Sequence, residues 1–183
     1  MRKLVARFRN SYLLLLWWLR LRRRVAGRLK LRGHLDGLAV ASDFRCDGDC
    51  WLGIYREGGK ISIETGVRAS GPLIVTSVSS VEIGRDSLFG PNVMITDHYH
   101  GDSRREEVYE TPPSDRTLHS PGPITIGAQV QLGANTCVLS PAVVGTSVIV
   151  GANSVVKGHL SARHVYVGSP ARKVISKQRP TSQ

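Results

Sequence analysis

The apolar positions of the chain keep a six-residue step. Ile126, Leu132, Val138, Val144, Val150 and Val156 are branched aliphatics spaced six apart. Gly follows at 127, 133, 145 and 151. The residue four places after each of the first five aliphatics is small or β-branched: Val130, Thr136, Ala142, Val148 and Ser154. A helix repeats near 3.6 residues and an ordinary strand near 2, so neither accounts for the pattern. A fixed period of six predicts an all-β chain wound as a parallel β-helix. Each six is one face, a short strand then a turn. Three faces make a coil of about 18 residues, and coils stack at the ~4.8 Å strand spacing. The expected stacking is Ile126 on Val144, Leu132 on Val150 and Val138 on Val156. The Gly after each aliphatic is read as the residue that lets the chain turn sharply at a corner.

The same step is present but ragged over residues 38–96, where Asp47-Gly48-Asp49 and Glu57-Gly58-Gly59 are turn material. Gly-Pro at 71–72 and at 90–91 reads as corners. The step then breaks. Ile95 and Ile126 are 31 apart, which is not a multiple of six, so residues 97–123 are expected to be extruded as a loop. That loop is polar and rich in Pro and charge, and it holds His98, His100 and His119. A loop this long in a compact fold is functional or disordered, and the histidines favour chemistry. The expected organisation is an arm over 1–37, a β-helix over 38–175 and a tail over 176–183.

Charge changes the reading of the arm. Residues 1–32 hold 11 of the 25 basic residues and no acid, leaving 14 basic and 14 acidic residues in a neutral remainder. The apolar run Tyr12–Leu19 is too short to cross a bilayer, which needs about 20 residues. Arginines directly after it also argue against a secretory leader. Leu4, Phe8, Tyr12, Leu15 and Leu19 keep one helical face. The arm is therefore read as an amphipathic helix lying on an anionic membrane, with Trp17 and Trp18 at headgroup depth. Packing on the β-helix and a phosphate-binding arm are the other readings; nothing else points to nucleic acid. Three cysteines without a leader suggest free thiols. Cys46 and Cys50 lack a second ligand pair, so no metal is expected.

The repeat resembles the hexapeptide-repeat acyltransferases, and the resemblance implies a left-handed β-helix. Asn92-Val-x-Ile-x-Asp-His98-x-His100 before a long loop resembles the sugar O-acetyltransferases of that superfamily, which include galactoside and maltose acetyltransferases and enzymes that decorate surface polysaccharides. The resemblance covers roughly residues 60–175. It implies an acetyl-CoA-dependent O-acetyltransferase acting on a sugar or glycan intermediate of the cell envelope. His98 is then the general base, with Asp97 fixing its tautomer or positioning the acceptor. Ser70, Asn92 and His100 are acceptor-binding candidates, Ser70 standing where the galactoside-type enzymes carry an asparagine. Gln131 stands where the family often has Trp. The resemblance also implies a homotrimer with acetyl-CoA between neighbouring subunits. Ala134 and Ala152 at corners, Lys157, and Arg172 and Lys173 in Gly-Ser-Pro-Ala-Arg-Lys are the cofactor candidates. The N–H of Ala134 is a candidate oxyanion donor. The expected location is cytoplasmic, peripheral at the inner face of the cell membrane. Three alternatives stay open: N-acylation of an amino sugar or acylation of serine on the same scaffold, a membrane-tethered β-helix without catalysis, and a zinc-dependent hydratase.

Overall fold

The computed structural model describes Leu19 and residues 21–174. They form a parallel β-helix with three faces, called A, B and C. Face A stacks the strands Leu29–Gly33, Cys50–Ile54, Leu73–Ser77, Val93–Thr96 and the first parts of Cys137–Val144 and Val155–Leu160. Face B stacks Leu38–Val40, Lys60–Ile63, Ser80–Ile83, Ile124–Ile126 and the second parts of those two long strands. Face C runs from Arg45–Cys46 through Arg68–Ala69, Leu88–Phe89, Gln131–Leu132 and Ile149–Val150 to Val165–Val167. An antiparallel strand, Arg172–Lys173, closes it.

The core is three vertical columns, because a strand alternates its side chains in and out and each rung repeats the phase of the one below. On face A, Leu31, Leu52, Val75, Ile95, Val138 and Val156 pair in turn. Ile126 pairs with Val144 and Leu132 with Val150, as the six-residue step predicts. The early coils are ragged because face A advances 21, 23 and 20 residues per coil, then 43 across the coil that carries the extruded loop, and only then 18. The surplus is taken up mainly at the A/B edge, at Tyr55–Gly59 and Val78–Ser79.

Two expectations change. The arm does not reach residue 37: Leu29–Gly33 is already a strand paired with Cys50–Ile54, and Leu29 and Leu31 pack on the core. The alternation in Leu-Lys-Leu-Arg turns the leucines inward and the cations outward, so an extended strand satisfies the sequence better than a helix there. Just before it, Leu21 and Val25 are buried and close the end of the core. Residues 1–18 and Arg20, on which the amphipathic reading of the arm rests, lie outside the described residues, as does the tail from 175. The second change concerns the glycines. The left-handed corner residues are Asp86, Asn92, Gln129, Asn135, Ser147 and Asn153, each two places after a glycine, and Arg163, two places after Ser161. The glycine serves the stack instead: a Cβ on Gly133 would lie 2.4 Å from the backbone nitrogen of Ala152 one rung on.

Candidate active site

Residues 97–123 leave the prism at the A/B edge. They form a short antiparallel hairpin, Tyr99–His100 with Leu118–His119, and a single helical turn, Glu107–Glu110, and rejoin face B at Ile124. His98 sits where the chain departs. Its side chain is 10% exposed, and its ring meets Tyr55 edge-on at 5.6 Å. Nδ1 lies 3.2 Å from Asp97 Oδ1 and 3.4 Å from Thr96 Oγ1.

Asp97 is fully buried. Its Oδ2 accepts from Ser77 Oγ at 2.7 Å and from the Ser79 N–H at 2.8 Å, and Oδ1 accepts from the Val78 N–H at 2.8 Å. Burial pushes its carboxyl up, but the hydrogen bonds from His98, Ser77, Val78 and Ser79 together outweigh it and hold the group below the usual carboxylate range. An ionised Asp97 beside Nδ1 keeps the proton on Nδ1, where it is donated to the carboxylate. None of the hydrogen bonds within the described residues reaches Nε2. The arrangement is an imidazole with one nitrogen anchored and the other available to take a proton.

The other candidates divide between two edges of the prism. Asn92 immediately precedes the strand Val93–Thr96 and His98 lies just beyond it; at about 3.3 Å per residue the two are at most about 20 Å apart along face A. Its amide donates to Asn135 Oδ1 at 3.1 Å, and the Asn135 amide to Asn153 Oδ1 at 3.0 Å. The ladder gives the Asn92 amide nitrogen a structural partner on the corner of the next rung, while the residue stays exposed. Ser70 is exposed on the same C/A edge, one rung before, and the structure does not bring it to His98. Ala134 and Ala152 lie there too, and the Ala134 N–H makes no hydrogen bond within the described residues. Lys157 is on the opposite A/B edge, its Nζ 5.7 Å from the centre of the Tyr99 ring. The cofactor candidates are thus split, with Lys157 on the side of His98. His100 is exposed on the hairpin. Arg172 and Lys173 are exposed on the closing strand of face C.

Sequence reading missed Ser77, Ser79 and Tyr55. The stacking rule reaches the first: pairing Val75 with Ile95 puts Ser77 opposite Asp97. Ser79 and Tyr55 lie in the surplus residues of the A/B edge, where no period applies.

No family model matches the chain. WbbJ of Escherichia coli (strain K12), a protein assigned to lipopolysaccharide biosynthesis as an O-acetyl transferase, is 40% identical over 122 residues, 65% of this chain and 61% of that protein. The chain therefore spans about three-fifths of the length of this curated relative. Among solved structures, a point mutant of AntD, an N-acyltransferase from Bacillus cereus in complex with dTDP-4-amino-4,6-dideoxyglucose and coenzyme A, superposes with a TM-score of 0.60 at 19% identity, over 85% of this chain and 84% of that one. A galactoside acetyltransferase in complex with coenzyme A gives 0.52 at 19% identity, over 84% of this chain and 66% of that one. At these identities the two structures establish the shared fold.

Proposed function

We propose that this chain, which shares the parallel β-helix fold of those structures, is a hexapeptide-repeat acyltransferase: an acetyl-CoA-dependent O-acetyltransferase acting on a sugar or glycan intermediate of the cell envelope. The observation that carries the reading is the imidazole of His98, anchored through Nδ1 by a buried carboxylate with Nε2 left over. A sugar hydroxyl is a poor nucleophile, and Nε2 takes its proton as the oxygen attacks the thioester carbonyl. The imidazolium that forms is stabilised by Asp97. The proton is then passed to the departing CoA thiolate, so no covalent acyl-enzyme is needed. The N–H of Ala134 donates to the developing oxyanion. Coenzyme A in the galactoside acetyltransferase and AntD structures supports the donor class, and the relative WbbJ supports an envelope acceptor. Incubation with acetyl-CoA and a panel of sugars and amines tests this: the product is an alkali-labile ester. An amide product would overturn it.

The working unit in this reading is a homotrimer. Face A carries an outward column of Trp51, Ile74, Met94, Cys137 and Val155, paired in register. The equivalent column on face B reads Ala39, Ser62, Glu82, Thr125, Val143 and His159, which is far more polar. Face A is bounded by the C/A edge with Ala134 and Ala152 and by the A/B edge with His98. Three copies packed with face A inward join the C/A edge of each to the A/B edge of the next, which reunites the two halves of the site. Ile74→Asp is expected to give a monomer by sedimentation velocity and to abolish transfer; an Ile74→Asp protein that stays trimeric rejects face A as the interface.

The arm in this reading holds the enzyme at the inner face of the cell membrane. Arg22, Arg23, Arg24 and Arg28 are exposed at the N-terminal end of the prism, and Arg45 and Arg68 are exposed and paired on face C at the same end. Basic residues near an anionic surface contribute about 1 kcal/mol each. The full chain is expected to sediment with phosphatidylglycerol-containing vesicles and a protein lacking residues 1–18 to remain in solution; equal behaviour of the two removes the arm from this role.

A further inference from the structure

A pocket of 460 Å³ opens between the extruded loop and the A/B edge, lined among others by Tyr99, Tyr109, Arg116, His119 and Lys157. We propose that it holds an anionic group of the acceptor, so that the sugar acetylated through His98 carries a carboxylate or a phosphate. The proposal rests on the O-acetyltransferase reading and gives that acceptor a chemical class.

The charges in the pocket do not balance. Asp102 is its only acid, and it is spent on Arg104, with Nε 2.8 Å from Oδ1 and Nη2 2.7 Å from Oδ2. That forked pair is neutral as a unit. Lys157 and Arg116 have no carboxylate within ion-pair distance among the described residues. The Arg116 Nε donates to the Thr111 carbonyl at 2.8 Å, which fixes the guanidinium without neutralising it. His119 Nε2 is buried with no hydrogen-bond partner, and Asp102 Oδ2 stands off at 3.6 Å. A buried polar atom left unpaired is costly, and a ligand oxygen would satisfy it. Two unbalanced cations and an unpartnered imidazole around one hollow suit an anion.

The remaining walls suit a sugar ring. Tyr99 and Tyr109 offer aromatic faces, and the Tyr99 ring is held in place by its hydroxyl, which donates to the Ser140 carbonyl at 2.9 Å. Tyr99 directly follows His98, so a ring resting on it brings a hydroxyl close to the general base. The pocket lies beneath the loop on the A/B edge, one face away from the Ala134 corner where the donor is read.

The test uses the full chain, acetyl-CoA, and saccharides that differ in charge: glucuronic acid, galacturonic acid and glucose 6-phosphate against glucose and galactose. Saturation-transfer NMR is run on the same sugars, and acetyl-CoA binding is measured by calorimetry. Acidic sugars are expected to be preferred by about tenfold or more in kcat/KM, the scale of a charge-assisted hydrogen bond. Lys157→Gln, an exposed position that does not threaten folding, and His119→Asn should each abolish the preference through the KM for sugar and leave the KM for acetyl-CoA unchanged. Preference for uronates assigns a carboxylate, and preference for the phosphate ester assigns a phosphate. Equal use of neutral and acidic sugars overturns the proposal, as does a Lys157→Gln enzyme in which only the KM for acetyl-CoA rises. Neither result touches the acetyltransferase reading. If no sugar is acetylated, calorimetry judges the enzyme reading, and NMR without a preference for acidic sugars still overturns the pocket.

Discussion

His98→Ala is expected to lower kcat for acetyl transfer by about 10² to 10⁴-fold, the usual contribution of a positioned general base. Acetyl-CoA affinity by calorimetry should stay unchanged, because the imidazole acts on the acceptor hydroxyl. The fold should survive as well: the ring packs edge-on against Tyr55 at the rim of the prism and belongs to none of the core columns. The residual rate would come from the corner amides and from proximity. A variant that keeps the wild-type kcat ends the general-base reading, since among the described residues only His98 has its Nδ1 anchored by a buried carboxylate.

Asp97→Asn is expected to damage both stability and rate. The carboxylate accepts from Ser77, Val78, Ser79 and His98. A carboxamide has one acceptor oxygen, and its NH2 group would face donors. Leaving buried donors unpaired costs about 3 kcal/mol. The rate should fall by about 10²-fold or more, because Nδ1 loses the partner that fixes its tautomer. The pH dependence has a definite sign. The folded-state pKa of Asp97 is depressed below 3.8, so its contribution to stability is fully present above 3.8 and is lost as pH falls through the lower folded value. Chemical unfolding should therefore show the gap between wild type and variant at its full size near neutral pH and narrowing below pH 3.8. A gap that widens on acidification contradicts this account of the site.

The C-terminal half of the prism was legible in the sequence because each rung obeys one rule, a branched aliphatic every six residues, and stacking turns that rule into register. The first coils were less legible, since surplus residues at the A/B edge shift the phase between faces without disturbing any column. The strand Leu29–Gly33 was hidden for another reason: arginine and leucine favour helix locally, and only the presence of Cys50–Ile54 beside it selects the extended form. His98 and Asp97 could be found because they stand where the period fails. The corner role of Asn92 was not legible, because an asparagine beside a catalytic motif and an asparagine supporting a left-handed corner look alike in one dimension. The pocket under the loop involves Tyr99, Arg116 and Lys157, brought together by the hairpin and by two further rungs, and no local pattern announces such a meeting.

The rungs on either side of the extruded loop bond to each other as if the loop were absent: Ile95 pairs with Val138, and Ile124 with Val81. Chain length at that exit is therefore decoupled from the integrity of the scaffold. Insertions, deletions or wholesale exchange of residues 101–120 would leave the spine of the molecule and its seams intact. A scaffold of this kind can be given a new specificity by grafting one segment, while the base at its root keeps its anchor in the rung below.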